Sequence, residues 1–122
     1  SIIEVPLSAT LLPYLGTTMR IFPYLTVLQR RLLHLESKLN GKPIVFDIHP
    51  NEFIDESKEK REFEKRASNP LASFLQDTLR SKLKTKNLGK QGAIIYEREI
   101  KYFIEKDKSF TTIKEYCKNL NI

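Results

Sequence analysis

Leu25, Leu28, Leu32, Leu35 and Leu39 recur at alternating steps of three and four between a proline at 23 and a glycine at 41. On an α-helix such steps place all five side chains on one stripe. Proline suits a first helical turn, where its missing N–H has no partner to lose, and glycine takes the left-handed conformation that stops a helix. The pattern predicts a helix over residues 23–40 whose leucine stripe meets another apolar surface. His34 falls half a turn away from that stripe and reads as a solvated side chain without a role.

Apolar runs flank this helix. Ile2, Ile3, Val5 and Leu7 read as a short strand over residues 2–7, with Pro6 limiting ladder bonding near its end, and residues 43–48 read as a second strand. Strand, helix and strand together predict a right-handed βαβ unit. Along the second strand Ile44, Phe46 and Ile48 share one face, and Val45, Asp47 and His49 share the other. Asp47 and His49 then point the same way, a carboxylate that orients the imidazole and favours its charged form. A histidine at a strand's carboxyl end, stopped by Pro50, sits where parallel α/β folds display their chemistry. The alternative is a buried or capping histidine.

The remainder reads as helical. Asn69 and Pro70 open a helix with the face Leu71, Phe74, Leu75, Leu79 and Leu83, punctuated by Gly89 and Gly92. A further helix carries Tyr96, Ile100, Phe103 and Ile104. Thr112 and Glu115 have capping-box spacing, and the face Ile113, Tyr116, Cys117 and Leu120 makes the thiol a core group. The mixed-charge run from Glu56 to Arg66 reads as solvated. Two strands cannot form a sheet covered on both faces, so the chain reads as part of a larger α/β fold.

Composition narrows the partners. A chain of 122 residues with 40% hydrophobic content supports one globular domain. Its formal charge of +6, from 21 basic and 15 acidic residues, is spread without a block of one sign. Arg80, Lys82, Lys84, Lys86 and Lys90 surround a helix end, where basic side chains cap carbonyls and face water. Nucleic acid is therefore not an expected partner, and a small basic nucleic-acid-binding domain is the least favoured alternative. No apolar run is long enough to span a bilayer, so a soluble chain without a membrane partner is expected, its compartment open. Ser1 in place of an initiating methionine suggests a processed or excised piece. The single cysteine can form no internal disulfide and has no metal-ligand spacing around it.

Three segments point further: Glu4-Val5-Pro6-Leu7-Ser8, Gly16-Thr17-Thr18-Met19-Arg20-Ile21-Phe22-Pro23-Tyr24, and His49-Pro50-Asn51-Glu52-Phe53. In this order and spacing they resemble the carboxyl-terminal half of polysaccharide deacetylases with the NodB-type barrel, in the branch that carries a His-Pro-x-Glu signature. Phe110 to Glu115 resembles that branch's terminal helix. The resemblance implies that residues 1–122 form a partial NodB-like (β/α) barrel, one βαβ unit followed by several helices. It also implies a complete protein that is a metal-dependent hydrolase, removing N-acetyl groups from glycans and often acting at the cell surface. In such enzymes a divalent metal, usually zinc, is held by an Asp and two His and supplies the attacking water.

By the same resemblance His49 protonates the leaving amine, Phe46, Asp47 and Ile48 border the substrate, and Arg20 orients a neighbouring carboxylate or the sugar. The family's adjacent aspartates and His-x-x-x-His pair have no counterpart here, and Asn51 stands where the branch often carries an aromatic residue. The isolated chain is accordingly expected to hold no zinc and to be inactive. Its expected partners are the N-acetylated glycan in the complete enzyme, the amino-terminal half of the barrel, and a second copy through the unpartnered leucine stripe. The alternative is a noncatalytic carbohydrate- or protein-binding remnant.

Overall fold

The computed structural model describes residues 2–54 and 69–120, so the charged run from Glu56 to Arg66 lies outside the described residues. In chain order the helices are α1 (Gly16–Ile21), α2 (Pro23–Asn40), a 3-10 turn (Pro50–Phe53), α3 (Pro70–Ser73), a π turn (Phe74–Leu79), α4 (Arg80–Thr85), α5 (Lys90–Glu105) and α6 (Ile113–Asn119). Local signals set several boundaries. Pro23 occupies the first turn of α2, and Gly41 closes the helix at φ 72°, donating its N–H to Ser37 O. Asn69 Oδ1 accepts from Ala72 N at 2.7 Å, and Thr112 and Glu115 form the capping box of α6.

The α/β expectation is corrected: the fold is predominantly helical, with no sheet and no barrel among the described residues, so it is not a partial NodB-like barrel. The second run expected as a strand does meet extended backbone, but at Ser8 and at Leu15–Gly16 rather than along residues 2–7. Ser8 N donates to Val45 O at 2.8 Å and Gly16 N to Asp47 O at 2.7 Å, with one parallel bridge between Leu15 and Asp47. The ladder fails to propagate for local reasons. Pro6 and Pro43 have no N–H to give, and Val45 N donates to the Ser8 hydroxyl rather than to a carbonyl. An isolated pair without a third strand is marginal in any case.

Helix α5 packs against both α1 and α2. Tyr14, Met19, Leu33, Ile95, Tyr96 and Phe103 are buried together, with Ile44, Phe46, Ile48 and Tyr102 packed on them. Phe46 and Phe103 meet the Tyr14 ring edge-on, at centroid distances of 5.6 and 6.3 Å.

Helix α2 faces the core with its polar side. Thr26, Gln29, Leu33 and Ser37 are buried, whereas the leucine stripe lies outside, from 40% exposed at Leu25 to 80% at Leu39. Each buried polar side chain has a specific partner: Thr26 Oγ1 donates to Phe22 O at 2.9 Å, Gln29 Nε2 to Leu12 O at 2.6 Å and Ser37 Oγ to Lys42 O at 2.7 Å. His34 is not solvated. It is half-buried with its ring edge-on to Tyr102 at 6.1 Å, and burial, then Lys108, Lys106 and Lys38, push its pKa down. Cys117 is half-buried at the surface of the core rather than within it. The expected apolar face beyond Pro70 is likewise open, with Leu71, Phe74, Leu75 and Leu79 exposed.

This inverted helix makes a direct prediction. Leu33→Ala removes a buried side chain and should cost about 2–5 kcal/mol, whereas Leu35→Ala, two residues on, should change the unfolding free energy of the dilute chain by less than about 0.5 kcal/mol. Urea denaturation of both variants measures the difference, and equal losses would contradict the orientation of α2.

Candidate functional site

The turn at residues 49–53 is organised by Glu52. Its backbone N–H donates to His49 O at 3.0 Å, and its carboxylate returns to accept the His49 N–H at 3.1 Å. Pro50 occupies the first position of the 3-10 turn, where its fixed φ suits helical geometry. The Glu52 side chain then reaches inward. Oε1 accepts from Thr17 Oγ1 at 2.9 Å and from Arg20 Nε and Nη2 at 3.3 and 3.1 Å, while Oε2 also accepts the Tyr96 hydroxyl at 3.0 Å.

Burial pushes the Glu52 carboxyl up, but the hydrogen bonds from Thr17, the His49 N–H, Arg20 and Tyr96 outweigh it and hold the group below its ordinary value of 4.5. The Tyr96 hydroxyl is pushed up, by burial first and then by the adjacent Glu52 charge. A carboxylate filled by donors and held ionised has no lone pair or basicity to offer a substrate; its role is architectural.

Arg20 is similarly occupied. Only 3% exposed, it pairs with Glu52 and donates through Nη1 to Lys84 O at 3.2 Å and Lys86 O at 2.7 Å. The loop 84–89 wraps around α1 through these bonds, through Asn87 Nδ2 on Arg20 O at 2.8 Å, and through Lys86 Nζ on Ile21 O at 2.8 Å. Arg20 therefore orients a neighbouring carboxylate and does not reach outward to a sugar. Phe46 and Ile48, also read as bordering a substrate, are half-buried against the core.

Asp47 and His49 remain at the rim. Their side chains are 52% and 68% exposed and approach to 4.0 Å between Oδ2 and Nε2, the outer limit of an ion pair. So solvated a contact contributes little stability, but it leaves an imidazole accessible on a backbone pinned by Glu52. No group of three His, Cys, Asp or Glu side chains with metal-binding geometry occurs among the described residues. These residues therefore do not by themselves fit the metal that the family resemblance implies.

Two open cavities, of about 460 and 510 Å³, flank residues 42–45 and do not include His49. One is bounded by Phe46, Phe103 and residues 108–113, the other by residues 3–9 and α2. A second buried polar cluster lies on the same face of α5: Tyr14 Oη donates to Glu99 Oε2 at 2.7 Å, and Arg30 Nη1 to Glu99 Oε1 at 2.9 Å. Arg30 also lies 4.5 Å over the Tyr102 ring. Sequence reasoning assigned nothing to Glu52, Tyr96 or Glu99. The available signal was weak: a glutamate three residues after His49, and a Tyr-x-x-Glu step on a helix otherwise read for its apolar side chains.

The class defined by this architecture is a helical domain knotted by buried carboxylates, with a histidine at its rim. No protein-family model matches the chain, and neither the curated proteins nor the solved structures contain a match.

Two measurements test the knot. The lowered pKa of Glu52 stabilises the fold fully above the ordinary value of 4.5, and this contribution disappears as pH falls through the lower folded value. Glu52→Gln should cost about 3 kcal/mol at neutral pH, as one half of a buried ion pair is removed, and should flatten the acid limb of stability against pH. An unchanged acid limb would contradict the assignment. Gly92→Ala should also destabilise, although alanine favours helix by about 1 kcal/mol, because its Cβ would lie 2.9 Å from Asn87 O and 3.2 Å from Glu52 O.

Proposed function

We propose that this chain contributes the leaving-group end of a hydrolase site that removes N-acetyl groups from glycans, with His49 as the proton donor. The observation that carries this reading is that the first two motif segments converge on residues 45–52, which lead into and include part of the third. Ser8 bonds Val45, Gly16 bonds Asp47, and Arg20 pairs with the glutamate of His-Pro-Asn-Glu, leaving His49 as the reactive group on the open side. The reading needs no barrel; it needs a held backbone and an accessible imidazole.

The chemistry is amide hydrolysis. Water adds to the acetyl carbonyl carbon, the C–N bond breaks, and the departing nitrogen takes a proton, giving acetate and the free amine. Expulsion of an unprotonated amide nitrogen is the difficult step, and a positioned proton donor speeds it by about a hundred- to ten-thousandfold. With Nε2 turned toward Asp47 Oδ2 at 4.0 Å, His49 supplies the proton from Nδ1. The divalent metal, taken as zinc, and the groups that activate water belong in this reading to the amino-terminal half of the complete protein.

The test uses the product of the whole gene with N-acetylglucosamine oligomers and added zinc, following acetate release. His49→Gln should lower kcat by about a hundred- to ten-thousandfold and leave KM and metal content nearly unchanged. Near-normal turnover in the variant, or no acetate from the wild-type product, would overturn the proposal.

A further inference from the structure

The leucine stripe of α2 is exposed along its whole length. Leu25, Leu28, Leu32, Leu35 and Leu39 follow the alternating three-four spacing of apolar positions in a two-stranded coiled coil. All five are 40% or more exposed on a helix of 18 residues, about 27 Å long. The stripe is held outward by the bonds of Gln29 to Leu12 O, Arg30 to Glu99 and Lys108 Nζ to Ser37 Oγ, which tie the rest of the helix to distant segments.

We infer that a second copy of this chain covers the stripe, its α2 lying parallel to the first. Spacing calls for a helix as occupant, since a 3.5-residue repeat matches the knobs and holes of another helix. Charge selects this chain and this direction. Tyr24, Arg31 and Lys38 border the stripe on one edge, and Gln29, which is buried and bonded to Leu12 O, and Glu36 border it on the other. In a parallel pair the residue preceding one apolar position faces the residue five further on in the partner helix, so Arg31 meets the partner's Glu36 on both sides of the two-fold axis. Antiparallel pairing would instead set the basic edge against itself.

Both side chains are placed for this. Arg31 is exposed, and Glu36 is half exposed, with Oε1 accepting Asn40 Nδ2 at 3.3 Å and 4.0 Å from Lys42 Nζ. A seam of this length buries on the order of 1,000 Å² in total, at the low end for specific interfaces, which corresponds to a dissociation constant of roughly micromolar to tens of micromolar. The pairing is independent of the glycan reading, because it is measured by mass and not by acetate release.

Sedimentation equilibrium over that concentration range should give a monomer–dimer equilibrium. Arg31→Glu should weaken it by about tenfold or more, since each new glutamate then faces Glu36, and Arg31→Glu combined with Glu36→Arg should restore it. These side chains are exposed, so folding is expected to survive, and circular dichroism checks that it does. Direction is read with Leu39→Cys in a Cys117→Ser background: mild oxidation should link 39 to 39 in a parallel dimer, where such positions come within disulfide reach. A monomer throughout, a dimer indifferent to the charge swap, absence of the 39–39 link, or protection of the stripe only by another segment of the whole gene product would each overturn the inference.

Discussion

Everything near the rim depends on one carboxylate. Glu52 gathers Thr17 and Arg20 from α1, Tyr96 from α5 and the backbone N–H of His49 around two oxygen atoms. Away from water such charge-assisted bonds are strong, and a donor left without its acceptor is costly, so the four partners stand or fall together. The close approach leaves no room for other side chains. A Cβ at position 16 would overlap the Glu52 carboxylate, and one at 92 would press on two backbone carbonyls, so glycine at both positions follows from packing rather than from turn geometry.

The core around this knot is unusually polar. Arg20, Thr26, Gln29, Ser37, Glu52 and Glu99 are buried alongside six apolar side chains. Helix α5 joins the two charged clusters, because Tyr96 and Glu99 lie one turn apart and reach Glu52 of the 3-10 turn and Arg30 of α2 respectively. Burying ion pairs in place of apolar groups gains little net stability. What these pairs supply here is register: each donor has one acceptor at the right distance, and a helix slipped or rotated by one residue would strand several of them at once. The Tyr14 hydroxyl, its pKa pushed up by burial and then by Glu99, is a donor to that carboxylate.

Some of this was legible in the sequence, and the pattern of what was not is informative. Features that depend on neighbours within a turn could be read directly: Pro23 and Gly41 bounding α2, the Asn69 cap, and the Thr112–Glu115 box. Asp47 and His49 were placed on one side by alternation, and they do face each other. The direction in which α2 faces was not legible, since periodicity shows which residues share a side but not which side turns inward. Leu12 O, Lys42 O and Glu99 decide that, and Glu99 lies 69 residues from Arg30. The strands were over-read because an apolar run implies an extended chain and a neighbour, whereas a ladder also needs N–H groups that Pro6 and Pro43 lack. Glu52 was missed for the same reason as Glu99: its partners stand 35, 32 and 44 residues away.

Helix α2 shows how specificity and affinity divide between the two sides of one element. Its inward side carries few methyl groups and many directed bonds, so it is selective about its position and weak as a hydrophobic anchor. Its outward side is the reverse, five leucines that any complementary apolar surface could cover. Rotating the helix to bury the leucines would expose Thr26, Gln29 and Ser37 harmlessly to water, but it would withdraw Arg30 from the buried Glu99 and Gln29 from the Leu12 carbonyl, breaking an ion pair and leaving a carbonyl short of its donor. The polar contacts therefore determine which side faces the core, and the apolar side is left facing outward. A surface of that kind arises as a consequence of the interior, and the basic and acidic residues at its two edges are what make it selective.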